Sequence, residues 1–230
     1  APETLLAEVD AVLSRHEEEP DASIKAIRAM RRREVLRLAI SGVVGAATMQ
    51  EIAQGLSNIT TAALNGFLGV ALAEDENNPE FGIIAMGRYG GSELGFGSDA
   101  DVIYVYRPTA SCQGEDAQKR AEKIVVRIAE IADDARLRFE IDTELRPEGK
   151  NGPLVRSLES YAAYYERWSL LWEAQALLRS RPVAGSPELL CEMMALIDSV
   201  RYPEAISTDD VREIRRIKAR VEAERLPAAA

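Results

Sequence analysis

The stretch that decides the fold reads Met86-Gly87-Arg88-Tyr89-Gly90-Gly91-Ser92-Glu93-Leu94-Gly95-Phe96-Gly97-Ser98-Asp99-Ala100-Asp101. An apolar run, Phe81-Gly82-Ile83-Ile84-Ala85, leads into it, and another, Val102-Ile103-Tyr104-Val105-Tyr106, leads out. Runs this short and this continuous suit buried strands. Five glycines fall within the eleven residues 87–97. Glycine accepts positive φ and lets a main chain come close to a ligand, and such a loop before a helical turn offers N–H groups to phosphate oxygens. A glycine-rich loop alone reads equally well as a flexible turn. Asp99 and Asp101 add to it: they stand two apart at the start of the second strand, so both carboxylates share a face. Two like charges that close are unfavourable unless a cation sits between them.

Downstream, residues 116–132 carry Ala121, Ile124, Val125, Ile128 and Ile131 at helical spacing. Residues 138–146 then alternate: Phe139, Ile141, Thr143 and Leu145 on one face, Glu140, Asp142, Glu144 and Arg146 on the other. That second face is either solvated or the wall of an active site holding a divalent metal. Three carboxylates from two strands beside a glycine loop are the set that two-metal nucleotidyl transfer requires, because Mg²⁺ takes hard oxygen ligands. Asp142 is placed to act on the attacking hydroxyl, as ligand or as general base. Residues 147–153 read as a loop, 160–181 and 187–199 as helices, and Ser207-Thr208-Asp209-Asp210 as the cap of a last helix reaching 225. Trp168, Trp172, Tyr161, Tyr164 and Leu171 are expected in the core. Upstream, residues 3–75 read as helical, broken at Pro20-Asp21, with a second helix over 23–39 and shorter stretches over 49–56 and 60–73; 74–79 is a polar boundary. The reading is an α+β chain in three parts: a helical segment 1–78, a core 79–150 and a helical segment 151–230.

At this point the residues match a family. Gly90-Gly91, Ser98-Asp99-Ala100-Asp101 and the later Asp142 resemble the polymerase-β-type nucleotidyltransferase pattern. The fuller wording of 86–101, together with Ile141-Asp142-Thr143-Glu144-Leu145-Arg146-Pro147-Glu148-Gly149, Gly152-Pro153-Leu154-Val155 and Trp172-Glu173-Ala174-Gln175-Ala176-Leu177-Leu178-Arg179, is similar to glutamine synthetase adenylyltransferase over about 31–227. That family is a bifunctional enzyme. One half adenylylates a tyrosine of glutamine synthetase with ATP; the other removes the AMP by phosphorolysis. The resemblance implies a polymerase-β-like core with a small mixed sheet. It makes Asp99, Asp101 and Asp142 the Mg²⁺ triad and Gly90, Gly91 and Ser98 the residues that hold the triphosphate. It implies glutamine synthetase as partner and a nitrogen-signalling PII-type protein as a further one. Gly95-Phe96-Gly97-Ser98-Asp99 and Trp172-Glu173-Ala174-Gln175 are more similar to the carboxy-terminal, adenylylating half, although both halves use the triad. The chain departs from the family at Arg88, where Lys is frequent, and at Glu144, an added acid. It lacks the family's later Gly-Gly-x-x-Asp-Ile-Glu block, so a domain that folds yet turns over poorly is expected.

Composition narrows the alternatives. A net charge of −10 argues against a polynucleotide substrate, whose affinity rests on basic surface. A small nucleotide carried by a metal remains compatible. Arg31-Arg32-Arg33 is expected to be a solvated helix face and not a nucleic-acid patch. Arg88 is a phosphate candidate; so are Arg146, which shares the face of Asp142 and has an ion pair as its competing role, and, more weakly, Lys150. Two cysteines without CxxC spacing suit free thiols in a reducing cytoplasm. The single histidine, His16, in a charged stretch, speaks against a zinc site or a histidine-dependent hydrolase. The apolar stretch 38–47 falls short of the roughly 20 residues of a membrane span. Ala1-Pro2-Glu3-Thr4 lacks a signal-peptide pattern, and with Pro227-Ala228-Ala229-Ala230 it reads as the cut ends of a fragment. Three functions compete: AMP transfer to glutamine synthetase, phosphorolytic AMP removal, and non-catalytic docking.

Overall fold

The computed structural model describes residues 2–168, 171–203, 205 and 207–225; the ending at 227–230 lies outside them. Among the described residues the fold is α+β, with a small mixed sheet among helices, as the sequence predicts. Three helices lead: α1 (Pro2–Arg15), α2 (Pro20–Val43) and α3 (Met49–Ala73). Pro20 opens α2 at its first position, where a missing N–H costs nothing. Thr48 starts α3 with a capping box: its side chain accepts the Glu51 N–H, and the Glu51 carboxylate accepts the Thr48 N–H at 2.7 Å. The two expected stretches 49–56 and 60–73 are therefore one helix. Ser57 does not break it, because its hydroxyl donates back to the Ala53 carbonyl at 2.9 Å. By length and composition α3 could cross a membrane, yet 67% of its most apolar window is buried inside this fold.

The sheet follows. Strands β1 (Glu80–Ala85) and β2 (Ala100–Arg107) are antiparallel, joined through the four-residue helix α4 (Gly87–Gly90). After helix α5 (Gly114–Ala132), strands β3 (Ile141–Asp142) and β4 (Val155–Ser157) run parallel to β2, at its start and its end respectively. Beyond helices α6 (Leu158–Trp168) and α7 (Leu171–Leu177), strand β5 (Arg181–Gly185) pairs with the other side of β1. Helices α8 (Pro187–Arg201) and α9 (Thr208–Arg225) complete the chain.

The side chains of β1 and β2 divide between two cores with the strand period. Phe81, Ile83, Ala85, Ala100, Val102, Tyr104 and Tyr106 join Ile59, Phe67, Ala121 and Ile128 from α3 and α5. Ile84, Met86, Ile103 and Val105 join Tyr161, Leu189 and Met193 from α6 and α8. Both faces are covered, which is why these strands read as unbroken apolar runs.

Several expectations change. The alternation over 138–146 yields a strand of two residues only. Phe139 and Ile141 do pack on the first core, but Leu145 packs on the second. The chain turns between them because the Asp142 Oδ1 accepts the Glu144 N–H at 2.7 Å. The helix expected over 160–181 ends at Leu177, and Arg181 starts β5, which Pro182 suits as an edge strand. Tyr161 is buried and Tyr164 and Leu171 are half-buried, but Trp172 is 36% exposed; the side chain of Trp168 lies outside the described residues. The arginine run is neither a solvated face nor a patch. Arg31 donates to the Leu137 and Arg138 carbonyls at 2.8 and 2.9 Å, with its guanidinium over the Phe139 ring. Arg32 pairs with the buried Asp134, and Arg28 donates to the Ile131 carbonyl at 3.0 Å. Arg28 thus serves the carbonyl-rich end of α5, and Arg31 and Arg32 hold the segment after it. Only Arg33 points outward, to Glu8 and Glu34.

Candidate active site

The register of β2 against β3 builds the site. Ala100 stands opposite Ile141 and Asp101 opposite Asp142, with the Ala100 N–H bonded to the Glu140 carbonyl at 2.9 Å. Ala100 and Ile141 face the first core, so Asp101 and Asp142 face the other way, together. Asp99 lies one residue before β2 with the same parity. One carboxylate oxygen from each of Asp99, Asp101 and Asp142 lies within 4.8 Å of the other two. Among the described residues this is the acidic cluster able to hold a metal ion.

The glycine turn closes over the cluster. The Met86 N–H bonds the Asp101 carbonyl at 2.8 Å. Gly87 has a φ of +51°, and a Cβ there would collide with the Asp101 Oδ2, so only glycine fits. The Arg88 N–H donates to the Asp101 carboxylate, and its guanidinium stands 3.6 Å from the Asp99 Oδ1. Burial first, then the charges of Asp99 and Asp142, push the Asp101 carboxyl up to about 6; Arg88, through its charge and its N–H, pulls the other way. Three hard oxygen donors, with a central carboxylate that resists ionising next to its neighbours, are what a divalent cation relieves. The residues present fit Mg²⁺ or a similar ion.

Of the other residues expected here, Arg88 lies at the cluster. Gly90 and Gly91 lie further along the turn, and their N–H groups bond the Met86 and Gly87 carbonyls at 2.6 and 3.2 Å. A Cβ on Gly90 would collide with the Arg179 carbonyl; this glycine permits close packing of the turn on the segment after α7. Ser98 accepts the Gly95 N–H at 2.9 Å. Arg146 is not brought to the cluster. It is buried, and its guanidinium donates to the Thr143, Lys150 and Gly152 carbonyls and to the Thr143 hydroxyl. An arginine tied by carbonyls in this way braces the 143–152 turn. Lys150 pairs with Glu144 at 2.8 Å, so the added acid has a local partner. Glu173 is buried and accepts the Tyr164 hydroxyl at 2.8 Å. Sequence reading missed two residues. Gly87 was hidden among five glycines of which only it has positive φ. Arg179 was seen only as the end of a motif, and it forms a 2.5 Å ion pair with Glu93 on the glycine loop.

A family model described as glutamate-ammonia ligase adenylyltransferase matches residues 1–195. The chain belongs to this family. Curated relatives named bifunctional glutamine synthetase adenylyltransferase/adenylyl-removing enzyme include one from Leifsonia xyli, 55% identical over all of this chain and 23% of its own length. Those from Mycobacterium tuberculosis and Streptomyces coelicolor are 43% and 44% identical over 92% and 90% of this chain and 22% and 23% of their own lengths. The chain thus spans about a quarter of the relatives it matches, and the family resemblance drawn from its three motifs stands.

Proposed function

We propose that this chain transfers AMP from ATP to a tyrosine hydroxyl of glutamine synthetase, as the adenylylating half of a longer protein. The observation that carries this reading is the convergence of Asp99, Asp101 and Asp142 at the start of β2, beneath the glycine turn. The three carboxylates would hold a divalent cation, which supplies charge neutralisation to the triphosphate and acidifies the acceptor hydroxyl. The chain's own residues do the rest. Met86 and Arg88, through backbone N–H groups, fix Asp101, and the Glu144 N–H orients Asp142. Asp142, beside the acceptor, receives the hydroxyl proton as the tyrosine oxygen bonds to the α-phosphorus and the bond to pyrophosphate breaks. Arg88 stands ready for phosphate charge. The site's rigidity comes from the strand pair, which limits the reorganisation needed during transfer. Cytoplasmic placement belongs to the same proposal, because the donor is ATP.

The test is intact-mass analysis of unmodified glutamine synthetase after incubation with this chain, ATP and Mg²⁺, beside the Asp99→Asn/Asp101→Asn variant. Addition of one AMP per subunit by the wild type alone is expected. No addition, with phosphate-driven loss of AMP from pre-adenylylated glutamine synthetase, would replace this reading by the adenylyl-removing one.

A further inference from the structure

The mouth of the site is strongly acidic. Beyond the triad, Glu93, Glu140 and Glu144 flank its residues in sequence and are exposed, each paired with a cation: Arg179, Arg138 and Lys150. A triphosphate entering here needs cationic side chains as well as metal. Arg146 is occupied by carbonyls, and Lys150 is held by Glu144 on the Asp142 side. The glycine turn has different neighbours at its two ends. Gly87 is packed against Asp101, while Gly90 and Gly91 are packed against Arg179: the Arg179 carbonyl fills the space at Gly90, and its Cδ lies 3.2 Å from where a Cβ on Gly91 would be. The Arg179 side chain therefore leaves the backbone directly over the turn. Its side chain is 53% exposed and that of its partner Glu93 57% exposed, and they meet at 2.5 Å. Arg88 repeats the pattern at the other end, 58% exposed and near the half-buried Asp99. A solvated ion pair of this kind is worth little and exchanges readily. The planar fork of arginine suits phosphate oxygens better than it suits one carboxylate in water.

We infer that Arg179 is a nucleotide-binding residue: it rests on Glu93 while the site is empty and moves to the β- and γ-phosphates of ATP, across the glycine turn from Arg88. This inference rests on the ATP-dependent reading above. It assigns a role to the last residue of the Trp172–Arg179 motif, and it gives Glu93 the role of a competitor for the guanidinium. A plain strut between loop and helix would have another consequence. If the pair only braced the turn, loss of either partner would weaken nucleotide binding alike.

Isothermal titration of the chain with Mg–ATP and with Mg–AMP separates these cases, using wild type, Arg179→Gln, Arg179→Lys, Glu93→Gln and Asp101→Asn. The expected result is opposite signs. Arg179→Gln weakens Mg–ATP roughly tenfold, the loss expected for one charged hydrogen-bonding partner. Glu93→Gln tightens Mg–ATP by about two- to fivefold, because the competing carboxylate is gone. Arg179→Lys recovers part of the loss, and Mg–AMP binding is unchanged in the Arg179 and Glu93 variants. Weakening by both Arg179→Gln and Glu93→Gln would make the pair a strut and overturn the inference. So would Mg–ATP affinity indifferent to both. Glu93→Gln alters an exposed side chain, so it tests the point even where Arg179→Gln fails to fold. Failure of the underlying reading shows elsewhere: wild type would not bind Mg–ATP, or Asp101→Asn would bind it undiminished.

Discussion

Replacing Asp101 by Asn removes the charge that the site tolerates least. The folded carboxyl is pushed from 3.8 up to about 6. A group whose folded value is raised contributes stability below its unfolded value and loses it as pH rises through the folded one. The apo chain is thus free of the penalty below about pH 4, acquires it between about pH 4 and pH 6, and carries it in full at about pH 7. Two pKa units correspond to about 3 kcal/mol. The side chain is only partly buried, and solvent screening reduces that to about 1 kcal/mol. Asn keeps the shape, the main-chain carbonyl that accepts the Met86 N–H, and a side-chain oxygen for the Arg88 N–H. In a metal-chelating buffer, Asp101→Asn should therefore melt about 2–4 °C above wild type at about pH 7, with the gap closing towards about pH 4. Calorimetry at several pH values measures it. A variant no more stable than wild type at neutral pH, or a gap that does not change with pH, would refute the argument from crowded charge. Mg²⁺ or Mn²⁺ should raise the melting temperature of wild type and leave the variant unmoved.

Gly87→Ala should abolish that metal-induced shift and cost about 1–3 kcal/mol of stability, since it combines a left-handed φ with a Cβ driven into the Asp101 carboxylate; thermal melts with and without Mn²⁺ read both effects. Arg146→Gln should lower stability by about 2–4 kcal/mol, because buried carbonyls of the 143–152 turn lose their donors, while Mg–ATP affinity falls far less than in Asp101→Asn, as denaturant titration beside calorimetric binding would measure.

Much of the centre of this fold was legible because it is local. β1, the glycine turn, β2 and α5 succeed one another in sequence, and each carries its own signal: apolar runs, glycines, then a helical stripe. The Asp99–Asp101 spacing reads directly as a shared face, and Ile141 and Asp142 keep the parity the alternation assigns. What escaped depends on distant partners. β4 is three residues long and exists because β2 offers an edge, and β5 exists because β1 does. Arg146 carries the same charge whether it meets phosphate or carbonyl, and only the course of the 143–152 turn decides between them. Arg28, Arg31 and Arg32 find their partners more than a hundred positions away. Trp172 has an apolar side chain at helical spacing, but the face it occupies is not covered, and the residue projects to the surface.

The grip of Arg28 and Arg31 on the end of α5 and the segment after it has an evolutionary side. Both take hold of main-chain oxygens, those of Ile131, Leu137 and Arg138. Every amino acid supplies such an oxygen, so positions 137 and 138 are free to drift in side-chain identity without loss of that anchor, whereas Asp134 and Phe139 are held by their side chains. Its length has no such freedom: one residue inserted between Leu137 and Asp142 would reverse the parity of everything after it and swing the third carboxylate to the wrong side of the sheet. Substitutions should therefore accumulate at 137 and 138 across relatives while the residue count up to the aspartate stays constant.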